Sequence, residues 1–93
     1  MTDINELTKR ALKEWGSQSQ LDMVIEECAE LIDAIQKWGR DRVSSDKMLE
    51  KAVDVEISIE QLKLILDAPA IWQTVREEKL KHLEKLLVEP APK

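Results

Sequence analysis

Gln20-Leu21-Asp22-Met23-Val24-Ile25-Glu26-Glu27-Cys28-Ala29-Glu30-Leu31-Ile32-Asp33-Ala34-Ile35-Gln36-Lys37-Trp38 is the stretch on which the fold turns. Its apolar residues Leu21, Val24, Ile25, Cys28, Leu31, Ile32 and Ile35 recur at intervals of three and four. That spacing gathers side chains on one face of an α-helix and would scatter them across both faces of a strand. Ser17 and Gln20 have the spacing of a capping box at its start. Gly39 marks its end.

The flanking sequence reads as three more helices. Upstream, Leu7, Ala11, Leu12 and Trp15 share one face of a helix from about Ile4 to Trp15, with Gly16 as its stop. Downstream, residues 40–45 form a polar loop, and Ser44 or Ser45 caps a third helix with Asp46 in its first turn. That helix runs to about Leu66. Asp67-Ala68-Pro69 ends it and begins a fourth, which carries Ile71, Val75, Leu83, Leu86 and Leu87 and ends before Pro90. Residues 1–89 are expected to form a single helical domain, and residues 90–93 a disordered tail. There is no internal repeat and no low-complexity segment. The expected fold is all-α, a four-helix bundle.

Composition agrees with that reading. A chain of 93 residues suffices for one domain and not for two, and so small a domain commonly relies on self-association. Charged residues make up 35 %, aromatics only 3 %, and there are 2 glycines, a balance that favours helices over strands. The net charge of -5 argues against a nucleic-acid partner and suits a site that attracts cations. The single cysteine, Cys28, falls in an apolar helical position and is expected to be a buried, inert thiol. Without a disulfide framework, a cytoplasmic location is expected. The segment from Met1 to Glu6 lacks the basic and apolar regions of a signal peptide. No apolar run approaches the length of a membrane span, so no membrane partner is expected.

The carboxylates carry the candidate chemistry. With Cys28 at the centre of the core stripe and about 100° per residue, Glu26, Glu30 and Asp33 project away from the core and Glu27 lies on its flank. Glu27 and Glu30 are neighbours on adjacent turns. Such a pair repels unless a cation lies between, and Mg²⁺ prefers oxygen ligands; a solvated acidic face is the plainer alternative. The third helix is apolar on two sides, Ala52, Val55, Ile59, Leu62 and Leu66 on one, Val53, Ile57 and Leu64 on the other. Glu56, Glu60 and Lys63 form a wet strip, and opposite it Glu50, Lys51, Asp54, Ser58 and Gln61 form a narrow polar seam. A helix apolar on two sides is covered on both, by its own bundle and by a second subunit. Asp54 is then partly buried and needs a partner, either a base such as Lys51 or a metal shared with Glu27 and Glu30 on a facing helix.

These residues carry a family resemblance. The stretch from Gln20 to Leu31, with Glu26-Glu27-Cys28-Ala29-Glu30 at its centre, resembles the EExxE motif of the MazG-like, all-α nucleoside triphosphate pyrophosphohydrolases. Leu49-Glu50-Lys51-Ala52-Val53-Asp54-Val55-Glu56, continuing through Ile59-Glu60-Gln61-Leu62-Lys63, is similar to the phage-type version of the family's ExxD motif. Ala11-Leu12-Lys13-Glu14-Trp15-Gly16 and Glu78-Lys79-Leu80-Lys81-His82-Leu83 resemble the same branch, so the resemblance spans nearly the whole chain. The two motifs together, in order and on successive core helices, are more specific than EExxE alone.

The resemblance implies Mg²⁺-dependent hydrolysis of a (d)NTP to the monophosphate and pyrophosphate, with Mn²⁺ as an alternative ion. It implies metal ligation by Glu27, Glu30, residue 51 and Asp54. Residue 51 is lysine here, a departure from the family, and an ammonium cannot ligate Mg²⁺. Three outcomes follow. Glu50, four residues before Asp54, replaces it as a ligand; Lys51 contacts a phosphate; or the site is impaired, leaving a helical dimer that binds nucleotide or protein. Glu26 is the candidate base or orienting residue. Lys37 and Arg40 are candidate phosphate contacts, as are Lys79 and Lys81. Trp38 is a candidate for stacking on the base. His82 is expected at the surface, and Trp15 and Trp72 in packing. A homodimer or tetramer is expected to complete the bundle.

Overall fold

The computed structural model describes residues 2–88, and among them it contains three helices and no strand: α1 (Ile4–Trp38), α2 (Ser45–Leu66) and α3 (Pro69–Val88). The tail expected at residues 90–93 lies outside the described residues. No helix among the described residues is long and apolar enough to cross a membrane.

The first two expected helices run on into one another as α1 and meet at a kink at Gly16. Gly16 still interrupts the helical backbone, with φ 84 and ψ 162. A positive φ of that size suits a residue without Cβ. Helix-forming sequence on both sides lets the glycine kink the chain without opening a loop. After the kink, the Ser17 side chain makes no capping hydrogen bond. The Gln18 amide instead donates to Asp22 Oδ1 at 3.0 Å, and Gln20 is buried. The N-terminal cap is Asp3, whose side chain accepts from the Asn5 N–H at 3.0 Å. At the other end the Gly39 N–H donates to the Ile35 carbonyl at 3.1 Å.

The remaining boundaries follow the local chemistry. Ser44 Oγ accepts from the Lys47 N–H at 3.2 Å and caps α2. Asp67 closes α2 in the left-handed conformation, with φ 48 and ψ 49. Pro69 opens α3, where its missing N–H costs no helical hydrogen bond.

α1 and α2 pack as an antiparallel pair. Residues turned toward the contact in α1 follow the spacing Gln20, Val24, Glu27, Leu31 and Ala34. In α2 they follow Lys51, Asp54, Ser58, Gln61 and Ile65. Alternating steps of three and four are the signature of coiled-coil packing. What is unusual is the content of the seam. Among the described residues the buried ones are Ala34 and four polar ones, Thr8, Gln20, Ser58 and Gln61. Large apolar side chains remain outside, Ile25 at 67 % exposure and Ile32, Ile35, Val53, Ile57 and Leu66 with it.

This corrects the face expected to form the core of α1. Cys28 is half-buried and stands beside the seam, while Glu27, expected on the flank, turns into it. α1 has apolar residues on more than one side, and its contact with α2 selects the polar-bearing line, leaving the isoleucines uncovered.

α3 contributes little to this pair. It approaches the end of α2, where the Lys63 ammonium lies 5.4 Å from the centre of the Trp72 ring. Leu80, Leu83, Leu86 and Leu87 are all exposed. The radius of gyration is 16.9 Å, against roughly 12 Å for a compact chain of this length.

Candidate acidic site and groove

Three carboxylates and one ammonium meet where α1 crosses the first half of α2. Lys51 Nζ donates to Glu30 Oε1 at 2.6 Å, a bond between residues 21 apart in sequence. One turn along, Glu27 and Asp54 line a groove that begins beside this pair. Burial raises the Glu27 pKa above its usual value, and the negative charges of Asp54 and Glu30 raise it further, while Lys51 acts in the opposite sense. The Lys51 pKa is raised, first by its hydrogen bond to Glu30 and then by attraction to the surrounding carboxylates, against the effect of desolvation. Both directions describe one cluster in which a single cation compensates several anions incompletely.

The incompleteness has an atomic counterpart. Glu27 Oε2 is buried and has no hydrogen-bond partner. A buried carboxylate oxygen normally finds a donor or a cation. Two carboxylates with an unmet oxygen fit the way Mg²⁺ is commonly held, by one or two carboxylates together with phosphates and water. Lys51 is already bonded to the third carboxylate, and among the described residues no three Asp, Glu, His or Cys side chains gather as a metal-holding group.

The other residues singled out by sequence fall elsewhere. Glu26 is exposed, about 100° around α1 from Glu27. Glu50 is exposed beside Lys51 and does not line the groove. Lys37 pairs with Asp33 at 2.9 Å, and it lies ten residues beyond Glu27, about 15 Å along the helix. Arg40 is exposed in the loop, Trp38 is at the end of α1 outside the groove, and His82 is exposed. Lys79 lines a separate cleft of about 650 Å³ with Lys63, Trp72 and Arg76.

Sequence reading missed the groove itself. It has a volume of about 840 Å³ and extends from Glu27 and Asp54 past Gln20 and Gln61 to Trp15, Leu7 and Ile4. Trp15, expected in packing, is 64 % exposed on its wall. The seven-residue interval from Gln20 to Glu27 to Ala34 is the signal that would have found the polar line.

Compared with known proteins, the chain matches no family model, no curated protein and no solved structure.

Proposed function

We propose that the protein is a Mg²⁺-dependent nucleoside triphosphate pyrophosphohydrolase of the MazG-like type, releasing pyrophosphate from (d)NTPs and leaving the monophosphate. The observation that carries this reading is the meeting of Glu27 and Asp54 across the α1–α2 seam with a buried, unpartnered Glu27 oxygen. Polar residues at such a seam cost stability relative to apolar ones. Two carboxylates and two glutamines along it therefore favour a retained chemical role.

Glu27 and Asp54 would hold the ion, and Glu30 would join them when Lys51 turns to a phosphate. Bound there, Mg²⁺ would neutralise phosphate charge and lower the pKa of a water. Lys51 supplies a mobile cation on a flexible stem, suited to a phosphate as a point charge. The groove wall shields one side of the site from bulk water and strengthens these interactions. The exposed apolar residues of α1 and α3 support a homodimer or tetramer in which a second copy completes a four-helix bundle. A cytoplasmic setting suits a chain whose single cysteine is free.

The test is pyrophosphate release from a panel of NTPs and dNTPs with and without Mg²⁺. Release that requires the ion and disappears in Asp54→Ala supports the proposal. No release from any substrate with either Mg²⁺ or Mn²⁺ refutes it.

One observation favours a second reading. The 2.6 Å bond between Lys51 and Glu30 places an ammonium among the carboxylates, as expected of an impaired relative that binds nucleotide or protein without turnover. Activity restricted to Lys51→Glu would select that alternative.

A further inference from the structure

We propose that the groove beside the acidic site is a nucleobase pocket, in which a heteroaromatic ring lies against Trp15 and presents its hydrogen-bonding edge to Gln61 and Gln20. This rests on the nucleotide reading of the site above and adds the part of the substrate that the carboxylates do not address.

Gln61 carries the argument. It is 7 % exposed, it lines the groove, and its Oε1 has no hydrogen-bond partner. Two other buried polar groups of the wall, Thr8 and Ser58, are accounted for locally. Thr8 Oγ1 donates to the carbonyls of Ile4 and Asn5 at 2.8 and 3.1 Å, and Ser58 Oγ donates to the Val55 carbonyl at 2.9 Å. An amide left unmet at a helix seam is expensive to keep. It is also a suitable reader of a base edge, because its carbonyl accepts and its NH₂ donates, and a half-turn of the amide exchanges the two.

Register places a second amide beside it. The antiparallel pairing that sets Lys51 against Glu30 brings Gln61 level with Gln20, which is 5 % exposed and lines the same groove. From Glu27 to Gln20, and from Asp54 to Gln61, is seven residues, about 10 Å along the helix axes. That interval leaves room for a sugar between a base held at the glutamines and phosphates held at the carboxylates. Ile4, Leu7, Ala11, Met23 and Ile57 make much of the remaining wall apolar, and Trp15 offers a large aromatic side chain on it, where bases of any type stack. An apolar slot with a few convergent polar groups is the usual form of a small-molecule site.

The experiment measures binding of a panel of free nucleosides and nucleoside monophosphates to the full chain by calorimetry, with the part of the tryptophan fluorescence change that is lost in Trp15→Ala as a second readout. Inorganic tripolyphosphate with Mg²⁺ is the separate probe of the acidic end. Wild type is expected to bind one or more nucleosides with a base preference. Gln61→Leu is expected to weaken the preferred nucleoside about tenfold while tripolyphosphate still binds. Trp15→Ala, at an exposed position where folding is not at stake, is expected to weaken all bases together. The pocket is refuted if no nucleoside or monophosphate binds wild type at millimolar concentration, as when a second copy fills the groove. It is equally refuted if Gln61→Leu retains both affinity and base preference. The two readings separate cleanly. Nucleoside binding without pyrophosphate release sinks the catalytic proposal and leaves the pocket; release that is indifferent to Gln61 does the reverse.

Discussion

The α1–α2 pair and α3 are both amphipathic in sequence, yet they place polarity in opposite ways. The pair buries glutamines, a serine and part of a carboxylate pair in its seam, and leaves isoleucines outside. α3 leaves its leucines outside as well, with Leu87 72 % exposed, but it buries nothing polar in exchange. The polar seam gives up packing energy to hold chemical groups together, which suits a site. The bare face of α3 gives up apolar burial with no chemical return, which suits a surface awaiting a partner. In the proposed function, chemistry falls to the seam and self-association to the exposed apolar faces of α1 and α3.

The largest effect is expected at the seam's carboxylates. Asp54→Ala should lower pyrophosphate release at least a hundredfold, because loss of a metal ligand removes ion binding as well as charge stabilisation. Circular dichroism should show an unchanged helix content. A variant that still turned over near the natural rate would remove Asp54 from the site.

Next comes the α3 face. Leu83→Lys together with Leu87→Lys should shift the sedimenting mass toward monomer and leave most of the α1–α2 helicity in place. A natural chain that already sediments as a monomer would undo the contrast drawn between the two regions.

A smaller and more diagnostic effect is expected from Lys51→Met. It leaves Glu27, Glu30 and Asp54 without their cation, so the melting temperature should fall by several degrees in the absence of divalent ions. Millimolar Mg²⁺ should restore much of the loss. Equal melting with and without the ion would mean that the three carboxylates do not share a cation.

Glu27 provides a pH test of the same cluster. Its folded-state pKa is raised from 4.5, so the folded protein favours the protonated carboxyl. The associated stability is fully present below pH 4.5 and is lost as pH rises through the higher folded value. Glu27→Gln should therefore melt a few degrees above wild type at pH 7, and the gap should close below pH 4.5. A variant that melts lower at pH 7 would show that the carboxylate is better compensated than its unpartnered oxygen indicates.

The smallest effect belongs to the junction. Lys63→Ala removes an ion pair with Glu60 at 3.4 Å and a cation over Trp72. Both are partly exposed, and about 1 kcal/mol or less should be lost. A much larger loss in thermal unfolding would show that α3 is docked more firmly than the contacts indicate.

Helix positions were legible because they rest on local chemistry. Ser44, Asp67 and Pro69 act on neighbours within one turn, and Gly16 marks the break even though the helix resumes after it. The buried face was less legible. Both α1 and α2 carry more than one apolar line, and only their mutual contact decides which line is covered. For that reason Cys28 was expected at the centre and Glu27 was not. Lys51 was visible as a departure from the ExxD pattern, and as a local partner for Asp54, but its bond to Glu30 depends on the register of two helices. Gln61 was legible as part of the polar seam of α2, but its orphaned amide oxygen and the exposure of Trp15 depend on contacts between helices, which the sequence does not display.

The most direct test of the catalytic proposal is Mg²⁺-dependent pyrophosphate release by the natural chain, measured beside Lys51→Glu on the same (d)NTPs. Turnover by the natural chain, abolished by removing the ion, is the expected result. Turnover by Lys51→Glu alone would contradict it and leave the natural protein as a binding scaffold.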